Sequence, residues 1–139
     1  MTRTVGLLLG AAAIVVALDL GQKQLAISDP SGAVYLHDRP LRYVIAGAAL
    51  TLGWAGAIVL TRSAMIALPG GVVMGGAAGN LISFALWPSL PGVPDPIVAA
   101  GLAFSLGDVA VAVGLLLLIP AALVFARRNR GRLFAPLST

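Results

Sequence analysis

The sequence contains no cysteine, which excludes disulfide bonds, thiolate metal sites and cysteine nucleophiles. It also has few charges: 10% of its 139 residues are charged, whereas a soluble domain carries about a quarter. By contrast, 59% of the residues are hydrophobic and 17 are glycine. This composition indicates an integral membrane protein, and the length indicates a single domain covering residues 1–139.

Four apolar stretches are long enough to cross a bilayer, which takes about 20 helical residues. They are Val5–Leu25, Leu41–Leu60, Ala64–Trp87 and Leu102–Ala126. The sequence therefore predicts an all-α membrane protein with four transmembrane helices and short loops. We expect the first stretch to be a retained helix rather than a secretory signal peptide, because no small-x-small cleavage site follows it.

The connections between these stretches differ in composition. The first contains the turn signal Asp29-Pro30-Ser31-Gly32 and then a candidate short strand, Ala33–Leu36. The third, Pro88–Gly101, contains four prolines and is expected to be irregular. Prolines also occur inside the third and fourth stretches, at Pro69 and Pro120, where we expect kinks rather than helix ends.

Basic residues predict the orientation of the helices. Six arginines fall on the side of the two chain ends, namely Arg3, Arg62, Arg127, Arg128, Arg130 and Arg132. The opposite side carries Arg39 and Arg42. Because cytoplasmic loops are enriched in Lys and Arg, both termini are expected in the cytoplasm and the two longer loops outside it. The basic tail also fits contact with anionic lipids, and we do not expect nucleic-acid binding.

Two aspartates, Asp19 and Asp108, lie within the apolar stretches. An aspartate at a helix centre costs about 2.5–3.5 kcal/mol, so such residues usually face a bundle interior and mark function. Counting along the helices at about 1.5 Å per residue places Asp19, Asn80 and Asp108 at a similar depth. Asp95 reaches the same level from the proline-rich connection. The sequence therefore predicts that three helices and one loop bring polar groups into a single layer.

Some of these residues have an architectural interpretation. Lys23 follows Asp19 by four residues, so the two share a helical face and can form an ion pair, with Lys23 extending to the interface. Asn80 and Ser83 share a face of the third helix, where interhelical hydrogen bonds and substrate contacts are equally expected.

Glycines recur every four residues along the third stretch, at Gly71, Gly75 and Gly79. This spacing leaves one helical face without side chains and lets a neighbouring helix approach closely. Helix packing explains Gly71 and Gly75. For Gly79 a functional role stays open, because this glycine directly precedes Asn80.

Asp95 and Asp108 differ from the other polar residues because neither has an obvious cation nearby in the sequence. If they converge in a low-dielectric site, both cannot ionise, and the pair holds a single proton. One carboxyl group can then activate a water while the other protonates a carbonyl group, as in aspartic proteases. The spacing alone also fits aspartates that are simply solvated. The single histidine, His37, is expected to be an exposed loop residue.

Four motifs occur in order along the chain: Asp19–Lys23 (Asp-x-x-x-Lys), Gly75–Ile82 (Gly-Gly-Ala-Ala-Gly-Asn-Leu-Ile), Val93–Ile97 (Val-Pro-Asp-Pro-Ile) and Phe104–Asp108 (Phe-Ser-Leu-Gly-Asp). They resemble motifs of lipoprotein signal peptidase (signal peptidase II), an intramembrane aspartyl protease that trims bacterial prolipoproteins. The resemblance covers nearly the whole chain, and its glycine–asparagine motif is the most specific.

The resemblance implies a role for each polar residue of the predicted layer. Asp95 and Asp108 would be the catalytic aspartates. Supporting or substrate-binding roles fall to Asn80, Ser83, Ser105 and Gly79, and an architectural role to Asp19 and Lys23. The substrate would be a diacylglyceryl-modified prolipoprotein, bound among membrane lipids by a multi-pass protein of the bacterial inner (cytoplasmic) membrane. No metal or organic cofactor is implied.

Departures from the family pattern keep other functions open. Ser83 and Phe84 stand where the family has an Asp-Arg pair, Ser105 replaces an asparagine and Gly107 an alanine. These changes favour, as an alternative, a catalytically weakened relative that binds lipid or lipoprotein or serves as a structural subunit of a membrane complex. A third hypothesis is a small transporter or proton conductor using Asp19 and Asp108. It would have to oligomerise, because the chain lacks an inverted repeat.

Overall fold

The structure, a computed structural model, describes residues 1–30 and 34–133, with side chains described up to residue 131. The helices are α1 (Thr2–Ser28), α2 (Leu41–Thr61), α3 (Ala64–Leu86), α4 (Leu106–Arg128) and α5 (Arg130–Leu133). The strands are β1 (Tyr35–His37), β2 (Val93–Asp95), β3 (Ile97–Ala99) and β4 (Leu102–Phe104). Ser31 and Gly32 of the expected turn, Ala33 of the expected strand and the Arg132 side chain lie outside the described residues.

Helices α1 to α4 are each long and apolar enough to cross a membrane, which confirms the prediction of four such helices. The bounds of α1, α2 and α3 lie close to those predicted from hydropathy. Helix α3 continues through Pro69 and α4 through Pro120, so neither proline ends its helix.

Helix α4 begins at Leu106, and the prediction that it begins at Leu102 is wrong. The residues Leu102–Phe104 are apolar but form β4 instead. The helix start is determined by Ser105, whose hydroxyl accepts a hydrogen bond from the Asp108 N–H at 3.4 Å. In return, the Asp108 carboxylate accepts a hydrogen bond from the Ser105 N–H at 3.0 Å. This reciprocal capping box is a specific helix-start signal that hydropathy does not detect.

Helix α3 lies between the other three spanning helices and packs against α1, α2 and α4. Glycines on its surface allow two of these backbones to approach closely. A Cβ atom on Gly75 would lie 2.7 Å from the carbonyl oxygen of Ala12 in α1, and Gly71 has a similar contact one turn earlier. A Cβ atom on Gly76 would overlap the carbonyl oxygen of Gly107 in α4. The packing role predicted for Gly71 and Gly75 is confirmed, and Gly76 adds a second close contact.

The substitution Gly76→Ala is expected to lower the free energy of unfolding by about 1–3 kcal/mol, the usual cost of overpacking. The added methyl group meets backbone atoms rather than a flexible side chain, so α3 and α4 must separate. Gly56→Ala in α2 is the matched control, because nothing lies within 4 Å of a Cβ atom there. Denaturant unfolding in mixed micelles measures both variants. Equal stabilities would contradict the close contact between α3 and α4.

The two connections at the end of the bundle where α1 ends and α4 begins both contain strands. Strand β1 pairs with β2 in antiparallel register, with Tyr35 opposite Asp95. Strands β3 and β4 form a hairpin whose turn has positive φ at Ala100 (51°) and Gly101 (77°). The expectation that Pro88–Gly101 is irregular is therefore wrong from β2 onward. Each sheet has two strands among the described residues, so every strand has one unpaired edge. A proline whose nitrogen faces that edge does not remove a hydrogen bond between the strands.

Candidate functional site

Lys23 is completely buried and lies at the centre of a polar cluster. Its Nζ donates hydrogen bonds to Asp19 Oδ2 at 2.7 Å, to Asn80 Oδ1 at 2.7 Å and to Ser83 Oγ at 3.3 Å. These three bonds use all the donors of an ammonium group. The structure thus contains the predicted Asp19–Lys23 pair, but the expectation that Lys23 extends to the interface is wrong. Acceptors from α1 and α3 compensate its charge inside the bundle.

Asp19 connects α1 to the start of α4. Its Oδ1 accepts a hydrogen bond from the Gly107 N–H at 2.7 Å, and Gln22 Oε1 accepts one from the Leu106 N–H at 3.0 Å. Side chains of α1 thus satisfy two amides that have no acceptor within α4, and a carboxylate suits the positive end of the helix dipole. A Cβ atom on Gly79 would lie 2.6 Å from Asp19 Oδ2. Gly79 therefore provides the space that this carboxylate occupies.

Asn80 links the buried ammonium group to the candidate catalytic Asp108. While its Oδ1 accepts from Lys23, its Nδ2 donates to Asp108 Oδ1 at 2.8 Å. Ser83 accepts a hydrogen bond from Lys23 and donates its own hydroxyl to the Asn80 carbonyl oxygen at 2.9 Å. Both residues are buried. Their hydrogen bonds hold the cluster together and orient the carboxylate of Asp108.

Asp108 is half-buried in the first turn of α4. In addition to the bond from Asn80 to Oδ1, its Oδ2 accepts hydrogen bonds from the Ser105 N–H at 3.0 Å and from the Ser105 hydroxyl at 3.2 Å. Ser105 is completely buried. The orientation of the Asp108 carboxylate is therefore determined by α3 on one side and by the cap of its own helix on the other.

Asp95 ends β2 and has 1% of its side chain exposed. Its Oδ2 lies 3.2 Å from His37 Nδ1. Among the described residues, its Oδ1 is the one buried side-chain nitrogen or oxygen without a hydrogen-bond partner. Burial raises the pKa of Asp95, and the charge of Asp108 raises it further. Three basic groups oppose this rise without reversing it: Arg39, His37 and Lys23.

His37 is a site residue that the sequence did not reveal. Its side chain is 54% exposed, as expected, but its ring contacts Asp95. Asp95 has no cation nearby in the sequence, and folding brings His37 to it from 58 residues away. The available signal was the candidate strand before α2. The sequence does not predict its partner strand β2, because prolines flank Asp95 and proline is rare inside strands.

A cavity of about 700 Å³ lies between α2 and α3, beside the polar cluster. His37 and Arg39 line it near the start of α2, and mostly apolar residues of α2 and α3 line the remainder. Asn80 belongs to both the cavity wall and the cluster, whereas Asp95 and Asp108 do not line the cavity. A ligand in this cavity would therefore reach Asp108 past Asn80 and Asp95 past His37.

No known protein family, curated protein or solved structure matches this chain. Within residues 1–30 and 34–133, no group of three or more His, Asp or Glu side chains could hold a metal ion. The structure brings together Asp19, Lys23, Asn80, Ser83, Ser105 and Asp108 through direct hydrogen bonds. The side chain of Asp95 contacts His37 rather than this cluster, and the charge of Asp108 raises its pKa. Two carboxyl groups in such different environments are suited to general acid–base chemistry.

Proposed function

We propose that this protein is a signal peptidase II-like intramembrane aspartyl protease that removes signal peptides from diacylglyceryl-modified prolipoproteins. One observation carries the proposal: Asp95 is buried with one oxygen unpartnered, and its pKa is raised in part by Asp108. Two coupled carboxyl groups that share one proton are the catalytic apparatus of aspartic proteases. The resemblance of four motifs to signal peptidase II supports the same assignment.

In the proposed mechanism the two carboxyl groups have complementary roles. Asp108 removes a proton from a water molecule as the water oxygen attacks the carbonyl carbon of the scissile peptide bond. Asp95 donates its proton to the carbonyl oxygen, which gives a neutral diol. Asp95 then takes a proton back from a diol hydroxyl, while Asp108 passes its proton to the leaving nitrogen and the C–N bond breaks. Both carboxyl groups return to their starting states.

The cavity beside the cluster fits the lipidated part of this substrate. Its volume of about 700 Å³ and its largely apolar wall between α2 and α3 suit acyl chains, and Asn80 leads from it toward Asp108. In the proposed topology both termini are cytoplasmic, because the arginines near the chain ends outnumber those near the site. The site then faces the outer side of the bacterial inner (cytoplasmic) membrane.

A cleavage assay tests the proposal. Purified protein in micelles should release the signal peptide from a diacylglyceryl-modified prolipoprotein. The same precursor with an unmodified cysteine should be cleaved more slowly, because the buried acyl chains contribute binding free energy. The rate should fall as the pH rises through the raised pKa of Asp95, since the mechanism needs its proton. If the lipidated precursor releases no peptide, the proteolytic function is wrong.

A second candidate is a catalytically weakened relative that binds lipid or lipoprotein as a subunit of a membrane complex. It is favoured by Ser83 and Phe84 in place of the family's Asp-Arg pair, and by a cavity that neither Asp95 nor Asp108 lines. Binding of a fluorescent lipidated precursor without release of its signal peptide would support this candidate over the protease.

A further inference from the structure

The pairing of β1 with β2 places His37 against Asp95. Tyr35 lies opposite Asp95 and His37 opposite Val93, so His37 and Asp95 are diagonal neighbours across the two strands. His37 Nδ1 lies 3.2 Å from Asp95 Oδ2. The Tyr35 ring contacts the imidazole edge-on, with ring centroids 5.7 Å apart. Two contacts therefore orient the imidazole toward the carboxyl group.

The charged groups that act on Asp95 come from four parts of the fold. They are Asp108 in α4, Lys23 in α1, Arg39 after β1 and His37 in β1. Histidine is the side chain that ordinarily changes its charge between pH 5 and 8. The His37 side chain is 54% exposed, and its Nδ1 contacts the buried carboxyl group of Asp95.

We infer that His37 is a positioning residue for the carboxyl pair: its imidazole holds Asp95 through Oδ2 and fixes the orientation of the Asp95 carboxyl group. The inference rests on the proposed proteolytic function and adds a third residue to its site. The contact leaves Asp95 Oδ1 as a buried oxygen without a hydrogen-bond partner among the described residues. The imidazole also opposes the effects of burial and of Asp108 on the pKa of Asp95, so Asp95 can give up its proton during the reaction.

Carbon-13 NMR of labelled aspartate carboxyl groups tests the electrostatic part without any substrate. The Asp95 signal is assigned as the one missing from Asp95→Asn, and its titration is compared between the parent protein and His37→Phe. The Asp95 midpoint should lie at higher pH in His37→Phe, because the imidazole lowers the pKa of Asp95. Arg42→Gln is the control, since Arg42 is exposed and is not among the groups acting on Asp95. An unchanged midpoint in His37→Phe would overturn the inference.

Kinetics of prolipoprotein cleavage test the positioning part. His37→Phe should lower kcat by up to about 100-fold, the cost of a misplacement of about 1 Å. The basic limb of its pH profile should move to higher pH together with the Asp95 midpoint. His37→Gln keeps a hydrogen-bond donor without a charge, so it should recover kcat but retain the displaced limb. If His37→Phe loses activity but the basic limb of its pH profile stays at the parent's pH, His37 only maintains the fold, and the inference is overturned.

These measurements separate the two hypotheses. If the parent protein does not cleave the precursor but His37→Phe moves the Asp95 midpoint, the proteolytic function fails and the coupling between His37 and Asp95 stands. If the parent protein cleaves the precursor and both the midpoint and the limb stay in place, the proteolytic function stands and the role of His37 fails.

Discussion

Asp95→Asn and Asp108→Asn should each lower the kcat of prolipoprotein cleavage by about 10²- to 10⁴-fold, the usual contribution of a general acid or base. An asparagine side chain has nearly the same shape as aspartate but can neither take a proton from water nor return one. KM should change little, because neither carboxyl group lines the cavity that fits the lipidated substrate. Arg3→Gln, which removes an exposed charge at the opposite end of α1, is the control and should keep full activity.

The stabilities of these two variants distinguish lost chemistry from lost structure. The folded protein raises the pKa of Asp95, so the stability that this group contributes is present at low pH and is lost as the pH rises through that pKa. Asp95→Asn should therefore become more stable than the parent as the pH rises. Asp108→Asn should be less stable by about 1 kcal/mol, because an amide cannot accept all three hydrogen bonds from Asn80 and Ser105.

Two results would eliminate the carboxyl pair. The first is unchanged turnover in either asparagine variant. The second is a loss of activity in Asp95→Asn that accompanies a lower stability than the parent at every pH. The structure predicts instead that this variant becomes more stable than the parent as the pH rises. Thermal unfolding and cleavage rates measured on the same preparations decide between these outcomes.

Lys23→Met should lower the free energy of unfolding by about 3–5 kcal/mol, the usual cost of breaking a buried ion pair. The substitution leaves the Asp19 carboxylate without its cation in a site with no exposed surface. It also removes hydrogen bonds to Asn80 and Ser83, which orient Asp108. Equilibrium unfolding in mixed micelles measures the effect. Arg3→Met, which removes an exposed cation from the same helix, is the control and should change stability little.

The double variant Asp19→Asn/Lys23→Met shows whether the penalty comes from an unpaired charge. The asparagine oxygen can still accept the hydrogen bond from the Gly107 N–H, while no buried charge remains. Because replacing both partners of a buried pair is often close to neutral, much of the lost stability should return. A double variant as unstable as Lys23→Met would refute the assignment of the penalty to the unpaired carboxylate.

Hydropathy was sufficient to locate the four helices that are long and apolar enough to cross a membrane, because the length of an apolar run is a local property of the chain. The same counting put Asp19, Asn80 and Asp108 at one depth, and their side chains do meet around Lys23. It failed for the start of α4, since Leu102–Phe104 are as apolar as the helix that follows. There the capping pair of Ser105 and Asp108 is the stronger local signal.

The side-chain partners within the layer could not be read from spacing. Lys23 was expected to extend outward because a long side chain near a helix end usually does so. In the folded bundle, Gly79 has no side chain to block Asp19, so the Asp19 carboxylate lies against α3. Three acceptors then surround the ammonium group of Lys23. These acceptors become available only when α1 and α3 pack with one particular rotation about their axes.

Residue types and their periods along the chain thus account for the four helices long enough to cross a membrane, the polar layer and the glycine surface of α3, because each depends on neighbours within a few turns. The contact of His37 with Asp95 joins residues 58 positions apart, and the Asp19 contact with the α4 amide joins residues 88 positions apart. Such contacts exist only after strands pair and helices pack. Folding therefore determines which carboxyl group is buried, which one is hydrogen-bonded and where the histidine lies.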